Sequence, residues 1–98
     1  MHSQKKLTPA QAWEKIKHFC AYQERCHSEV KERLASYAVF GSDADTIIAR
    51  LIEEGFLNEE RFALQFAGGH FRIKQWGRKK IQYALRQKQV SDWCIKQA

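Results

Sequence analysis

Proline occurs once in these 98 residues and glycine five times, which leaves little material for the turn-rich loops of a β architecture. No stretch approaches the roughly 18–20 consecutive apolar residues of a membrane span, so no membrane partner is expected. Behind Met1-His2-Ser3-Gln4-Lys5-Lys6 there is no apolar run to form a signal peptide, which makes the cytoplasm the expected compartment. The cysteines, Cys20, Cys26 and Cys94, are odd in number and come with no secretory signal, so they read as reduced thiols and not as a disulfide framework. His18, Cys20, Cys26 and His27 lack the tight spacings of zinc sites; buried thiols are the simpler reading, and neither a metal nor a cofactor is expected.

Catalytic patterns are missing as well. The sequence has no G-x-x-x-x-G-K-[ST] phosphate loop, no G-x-G-x-x-G, no nucleophile elbow and no H-E-x-x-H. The adjacent carboxylates Glu53-Glu54 and Glu59-Glu60 flank a Gly55-Phe56-Leu57 turn, where capping and solubility account for them. His70 lies among aromatics, as a packed or surface histidine would. No catalytic residue is therefore assigned, and no small-molecule substrate is expected.

What is present is helical patterning. Thr8 with Pro9 and Gln11 forms a capping-box start for a first helix, in which Trp13, Ile16 and Phe19 or Cys20 share a face and which should end near Glu24–Cys26. Ser28 is the expected cap of a second helix with Val30, Leu34 and Tyr37 or Ala38 inward, closed at Phe40-Gly41. Ser42, with Asp45 three residues on, is expected to open a third helix that buries Ile47, Ile48, Leu51 and Ile52 and stops at Gly55. Asn58 caps a fourth, with Phe62, Phe66 and Ile73 on or near one face, Ala63 and Ala67 beside them, and Gly68-Gly69 suited to a close helix approach or a kink. Gly77 opens a fifth, with Ile81, Ala84 and Leu85 inward and Val90 at its end. Ser91 caps a sixth that contains Trp93, Cys94 and Ile95.

Val30 and Leu34 recur as Ile81 and Leu85, and Ser42-Asp43 as Ser91-Asp92, a repeat of about fifty residues. The fold class expected is all-α: tandem three-helix repeats, helix-turn-helix-like, elongated and curved, with the second repeat incomplete. A flexible segment over residues 1–7 precedes a first repeat over 8–56 and a second over 57–98.

The charge is divided along the chain. Residues 1–60 hold eight Lys/Arg against ten Asp/Glu, a net of −2, whereas residues 61–98 hold nine against one, a net of +8. Such asymmetry points to an anionic partner for the second half. Its basic segment is Arg72, Lys74, Arg78, Lys79, Lys80, Arg86 and Lys88. Arg78 with Lys79 or Lys80 falls at a helix start, where the dipole disfavours cations, so helix stability alone does not account for them. Backbone N–H groups there could join these side chains around a phosphate or a cluster of carboxylates. Trp76, at the helix junction, reads as core packing, with stacking on a base as the alternative. Were residues 77–89 a DNA-reading helix, Gln82 and Gln87 would be its main amides for base edges; the remaining Lys/Arg suit phosphates.

Three stretches together resemble one family. Arg25-Cys26-His27-Ser28-Glu29-Val30-Lys31-Glu32-Arg33-Leu34 resembles the R-x-x-S-x-x-E-V/L-x-x-K/R-L stretch of RecX proteins, with the acidic residue shifted by one or two positions. Leu51 to Ala63, with Gly55, Leu57, Asn58, Glu59, Arg61, Phe62 and Ala63, is similar to their L-x-x-x-G-x-L-D-D-x-R-F-A signature, with Asn58 where Asp is commoner. Trp76-Gly77-Arg78-Lys79-Lys80-Ile81, followed by Leu85, resembles their K-x-G-x-x-x-I-x-x-x-L element, with Trp76 in place of a basic residue. Each motif alone is loose; the ordered set, across residues 10–98, is specific. The resemblance implies tandem three-helix repeats and binding to the RecA recombinase filament, with inhibition of its ATPase, strand-exchange and coprotease activities. It also implies, for some members, direct binding of single- or double-stranded DNA. Against the usual three repeats, it implies a chain cut short at its C-terminal end.

Overall fold

The computed structural model describes residues 7–98, which fold into six helices. These are α1 (Pro9–Tyr22), α2 (His27–Ser36), α3 (Gly41–Glu53), α4 (Glu59–Lys74), α5 (Arg78–Gln87) and α6 (Asp92–Gln97), and among the described residues there is no strand. The molecule measures 42 × 34 × 22 Å. Of the segment expected to be flexible, residues 1–6 lie outside the described residues. Leu7 packs against the first core with its N–H 3.3 Å from the Tyr37 carbonyl.

Helix starts with a local side-chain cap fall where the sequence places them. Thr8 Oγ1 accepts the Gln11 N–H at 3.2 Å, while the Gln11 side chain accepts the Thr8 N–H at 3.0 Å. Asn58 Oδ1 accepts from Arg61 N–H at 2.9 Å, and Ser91 Oγ from Cys94 N–H at 3.3 Å. Each such bond satisfies one of the four amides that a helix start leaves without an intrahelical partner.

The remaining starts differ from expectation. The N-cap of α2 is Cys26, whose N–H is held by the Glu29 carboxylate at 3.1 Å; Ser28 lies inside the first turn. Phe40 is the N-cap of α3, and Gly41 (φ +58) opens that helix, with Ser42 already within it. α2 closes earlier than Phe40-Gly41, at Ser36, and the left-handed residue after it is Ala38 (φ +61). α1 stops at Tyr22, short of Glu24–Cys26.

The internal repeat is visible atom by atom. Val39 N–H bonds to Leu34 O at 2.9 Å and Ala38 N–H to Ala35 O at 2.9 Å. Fifty-one residues on, Val90 N–H bonds to Leu85 O at 3.1 Å and Gln89 N–H to Arg86 O at 2.9 Å. Gln89 takes the same left-handed conformation as Ala38, at φ +64. Two non-glycine residues in this costly region at matching places mark one turn used twice.

Two cores result. Trp13 and Ile16 of α1, Val30 and Leu34 of α2, and Ile48 and Leu51 of α3 form the first. Phe62 and Ala63 of α4, Ile81 and Leu85 of α5, and Cys94 and Ile95 of α6 form the second. Ile52, expected inward, is 46% exposed, because it lies one residue and about 100° around the helix from buried Leu51. Ile73 is 82% exposed, since the buried face of α4 is confined to its first turns. Gly68-Gly69 serves no close helix approach: a Cβ at Gly68 would meet only the Arg72 guanidinium of the same helix, and one at Gly69 would meet nothing.

Cys20, Cys26 and Cys94 are free and buried. Burial pushes the Cys20 thiol up to about 11 and raises Cys26 as well, so both stay protonated and unreactive near neutral pH. Among the described residues no group of His, Cys, Asp and Glu side chains comes together to hold a metal. No helix among them is long and apolar enough to cross a membrane.

Candidate functional site

The turn between α4 and α5 gathers most of the basic segment. Arg72 and Lys74 occupy the last turn of α4, where cations favour the negative end of the helix dipole. Gln75 turns the chain in the left-handed conformation (φ +57), its N–H bonded to His70 O. Gly77 then caps α5 without a side-chain bond, and the first turn of α5 is Arg78-Lys79-Lys80 with no acidic residue. All five cations are exposed, and among the described residues none of them forms an ion pair. Five cations left uncompensated, three of them at the positive end of a helix, form a local anion-attracting field.

Trp76 organises this turn. Lys80 Nζ lies 4.5 Å and Lys74 Nζ 5.7 Å from its ring, so cations from two helices converge on one indole. The Trp76 ring also packs against His70 at 4.5 Å, His70 stacks on Phe66 at 3.9 Å, and Phe66 meets Phe62 at 5.7 Å. His70 Nδ1 is hydrogen-bonded to Phe66 O at 2.9 Å. The column runs from the second core out to the charged turn, and Trp76 packs against that core half-buried.

The other two members of the basic segment sit elsewhere. α5 is about 15 Å long, so Arg86 and Lys88 lie at its far end. Arg86 faces Asp92 at 3.7 Å across exposed surface. Lys88, expected on the basic face, is instead engaged between the two helical units, its Nζ 2.9 Å from Glu29 Oε2. Ser28 Oγ donates to Lys88 O at 2.7 Å, which gives an open carbonyl at the end of α5 a hydroxyl from the start of α2. Cys26, although it caps α2, is fully buried in the second core.

This joint has a pH signature. Burial works against a charge on Glu29, but the Lys88 ammonium and the Cys26 N–H outweigh it and hold the carboxyl below its ordinary 4.5. The hydrogen bond that Lys88 donates to the Glu29 carboxylate holds its ammonium above the ordinary 10.5, against the opposing effect of burial. A lowered carboxyl contributes stability above its unfolded pKa and loses it as pH falls through the folded value. A raised ammonium contributes below its unfolded pKa and loses it above the folded one. The pair is therefore at full strength between about pH 4.5 and 10.5. Glu29→Gln is expected to lower stability by about 1 kcal/mol at neutral pH, since both groups keep contact with water. Urea unfolding of both proteins should show that gap closing as pH falls below 4.5; a gap unchanged down to about pH 2.5 would exclude the pair as its source.

The motif residues are architectural. Leu34 and Leu57 are in the first core, and Phe62, Ala63, Ile81 and Leu85 in the second. Arg25 Nε donates to Phe19 O at 2.9 Å with its guanidinium over the Phe19 ring. Gly55 (φ +81) closes α3, where a side chain would be strained. Arg61 pairs with Glu24 and donates to Gly55 O at 3.0 Å. The Glu59 carboxylate receives the His27 N–H at 3.5 Å and the Ser91 N–H at 3.3 Å, the starts of α2 and α6. Glu59, Ser28 and Arg61 thus tie the units together, and Gly77 alone of the motif set touches the basic turn.

Residues 58–98 match the family model described as RecX, second three-helix domain. Over this span the chain is similar to the RecX family. The matched span begins at Asn58, the N-cap of α4, and covers α4, α5 and α6 with the whole basic turn. No curated protein and no solved structure matches the chain. Sequence reasoning missed the contribution of Glu29 and the engagement of Lys88. Their partners lie 59 residues apart, and no local pattern announces such a pair.

Proposed function

We propose that this chain regulates homologous recombination by binding the RecA filament and inhibiting its ATPase, strand-exchange and coprotease activities. The observation that carries this reading is the RecX match over residues 58–98, which contains the uncompensated cations at the α4–α5 turn. Arg72, Lys74, Arg78, Lys79 and Lys80 would face acidic filament surface, DNA phosphates, or both. The units over 8–56 and 57–98, held by the Glu29–Lys88 and Glu59 contacts, would present that face as one body.

The test is single-stranded-DNA-dependent ATP hydrolysis by RecA, titrated with this chain. Inhibition that saturates with chain concentration is the expected result. Unchanged hydrolysis at concentrations where the chain demonstrably binds DNA would replace this reading with an autonomous, sequence-nonspecific DNA-binding module. The same five cations favour that second reading. If all five contact phosphates, the slope of log K against log salt would be about −4 to −5 on duplex DNA.

A further inference from the structure

Among the described residues, three aromatic rings each carry two cations, and they differ in what answers those charges. Lys17 and Arg50 stand over Trp13 at 5.5 and 3.9 Å, and each has its own carboxylate, Glu14 at 3.0 Å and Glu54 at 2.8 Å. Lys74 and Lys80, over Trp76, belong to the basic turn. The third ring is Phe19 of α1, which packs half-buried against the first core. Arg25, in the loop between α1 and α2, holds its guanidinium 3.7 Å from the ring centroid, and Arg33, in the last turn of α2, holds its own at 4.5 Å. Neither forms an ion pair among the described residues.

Carboxylates are at hand. Glu29 and Glu32 line the same open cavity of about 360 Å³ as Phe19, Arg25 and Arg33. Glu29 lies four residues before Arg33 on one helix, the spacing and order that favour a pair. Its carboxylate is engaged instead by the Lys88 ammonium and the Cys26 N–H. A guanidinium stacked on a ring keeps its N–H edge for an acceptor in its own plane. Arg25 is fixed further by the bond from its Nε to the Phe19 carbonyl at 2.9 Å, which leaves its two terminal nitrogens for a ligand. Two forks are thus placed at one cavity before any ligand arrives, and such preorganisation lowers the cost of capture.

We infer that this cavity between α1 and α2 binds a carboxylate on an acidic segment of a partner protein, with Arg25 and Arg33 as the donors. Charge selects the occupant. Glu29 and Glu32 line the cavity, and residues 1–60 around it carry a net −2, so an isolated anionic group is admitted and an extended polyanion is opposed. A nucleic-acid duplex brings a negative charge about every 1.7 Å along its axis. Bidentate pairing of guanidinium with carboxylate supplies the fit. The site is separate from the basic turn of the second unit, and the inference holds whether or not the chain binds a recombinase.

The probe is a short fluorescein-labelled peptide of alternating Glu and Ala, followed by anisotropy against the full 98-residue protein carrying Arg78→Glu with Lys80→Glu, which weakens the competing basic turn. Saturable binding is expected, weakened at least about tenfold by Arg33→Gln, which removes a charged hydrogen-bonding contact. Arg33→Lys should weaken it nearly as far, because an ammonium lacks the fork. Glu32→Gln should tighten it about two- to fivefold by taking a like charge from the cavity, a gain that damage to the fold does not produce. Arg33 and Glu32 are both exposed, so helicity by circular dichroism should not change. Absence of peptide binding overturns the inference. Binding indifferent to Arg33→Gln and Glu32→Gln also overturns it, because the peptide would then sit on the remaining cations of the basic turn. So does tighter binding of an oligothymidylate at equal salt that Arg33→Gln abolishes, which would make the cavity a nucleic-acid site.

Discussion

Replacing Arg78 and Lys80 together by Glu is expected to weaken binding to duplex DNA by on the order of 50- to 100-fold at about 0.1 M salt. Each cation seated on a phosphate contributes close to 0.9 log unit per decade of salt, so removing two of them at a tenth of molar salt costs nearly two log units of affinity. The fold should not suffer. Both side chains are exposed, neither forms an ion pair among the described residues, and acidic residues in the first turn of α5 favour the helix dipole by a few tenths of a kcal/mol. Weakened binding with equal or higher helicity would separate a contact role from structural damage. Arg86→Glu, at the opposite end of α5 and already facing Asp92, should change binding far less. If the double substitution leaves binding intact, the contact surface lies away from the α4–α5 turn.

Leu34→Ala and Leu85→Ala are each expected to lower stability by about 2–5 kcal/mol, within one shared unfolding transition. The two leucines are fully buried at matching places of the repeat, each with its carbonyl bonded to the valine five residues on. A chain of this length has a total stability of roughly 5–10 kcal/mol, so either substitution consumes a large part of it. The shared transition follows from the joint. Cys26 extends from the first unit into the second core, and Glu29–Lys88, Ser28–Lys88 and His27–Glu59 cross between units. Denaturant unfolding followed by tryptophan fluorescence and by circular dichroism checks this. Trp13 reports the first core and Trp76 the second, with Trp93 mostly exposed. Two separated transitions in Leu85→Ala would show that the joint does not couple the units.

Much of this architecture is legible in the residues because its causes are local. Thr8, Asn58 and Ser91 cap their helices through bonds to amides three residues away, so composition over four residues suffices to place them. Val30 and Leu34 face inward because spacing by four residues returns to the same helix face, and Ile81 with Leu85 repeats it. The same local logic misplaces Ser28. Its hydroxyl suits a cap, yet a carbonyl 60 residues away holds it. Charge alone groups Lys88 with the basic face, and its carboxylate partner on α2 withdraws it.

By itself, the sequence determined an all-helical chain, a repeat near fifty residues, the apolar positions of two cores, and a basic second half. Those follow from caps, periodicity and charge, all short-range or additive along the chain. Only the tertiary structure decided which cations stay uncompensated and that the motif residues hold the joint. The physical reason is distance in sequence. Ion pairing and burial depend on what packs against a side chain, and here the partner lies some 30 to 60 residues away, beyond the reach of any local pattern.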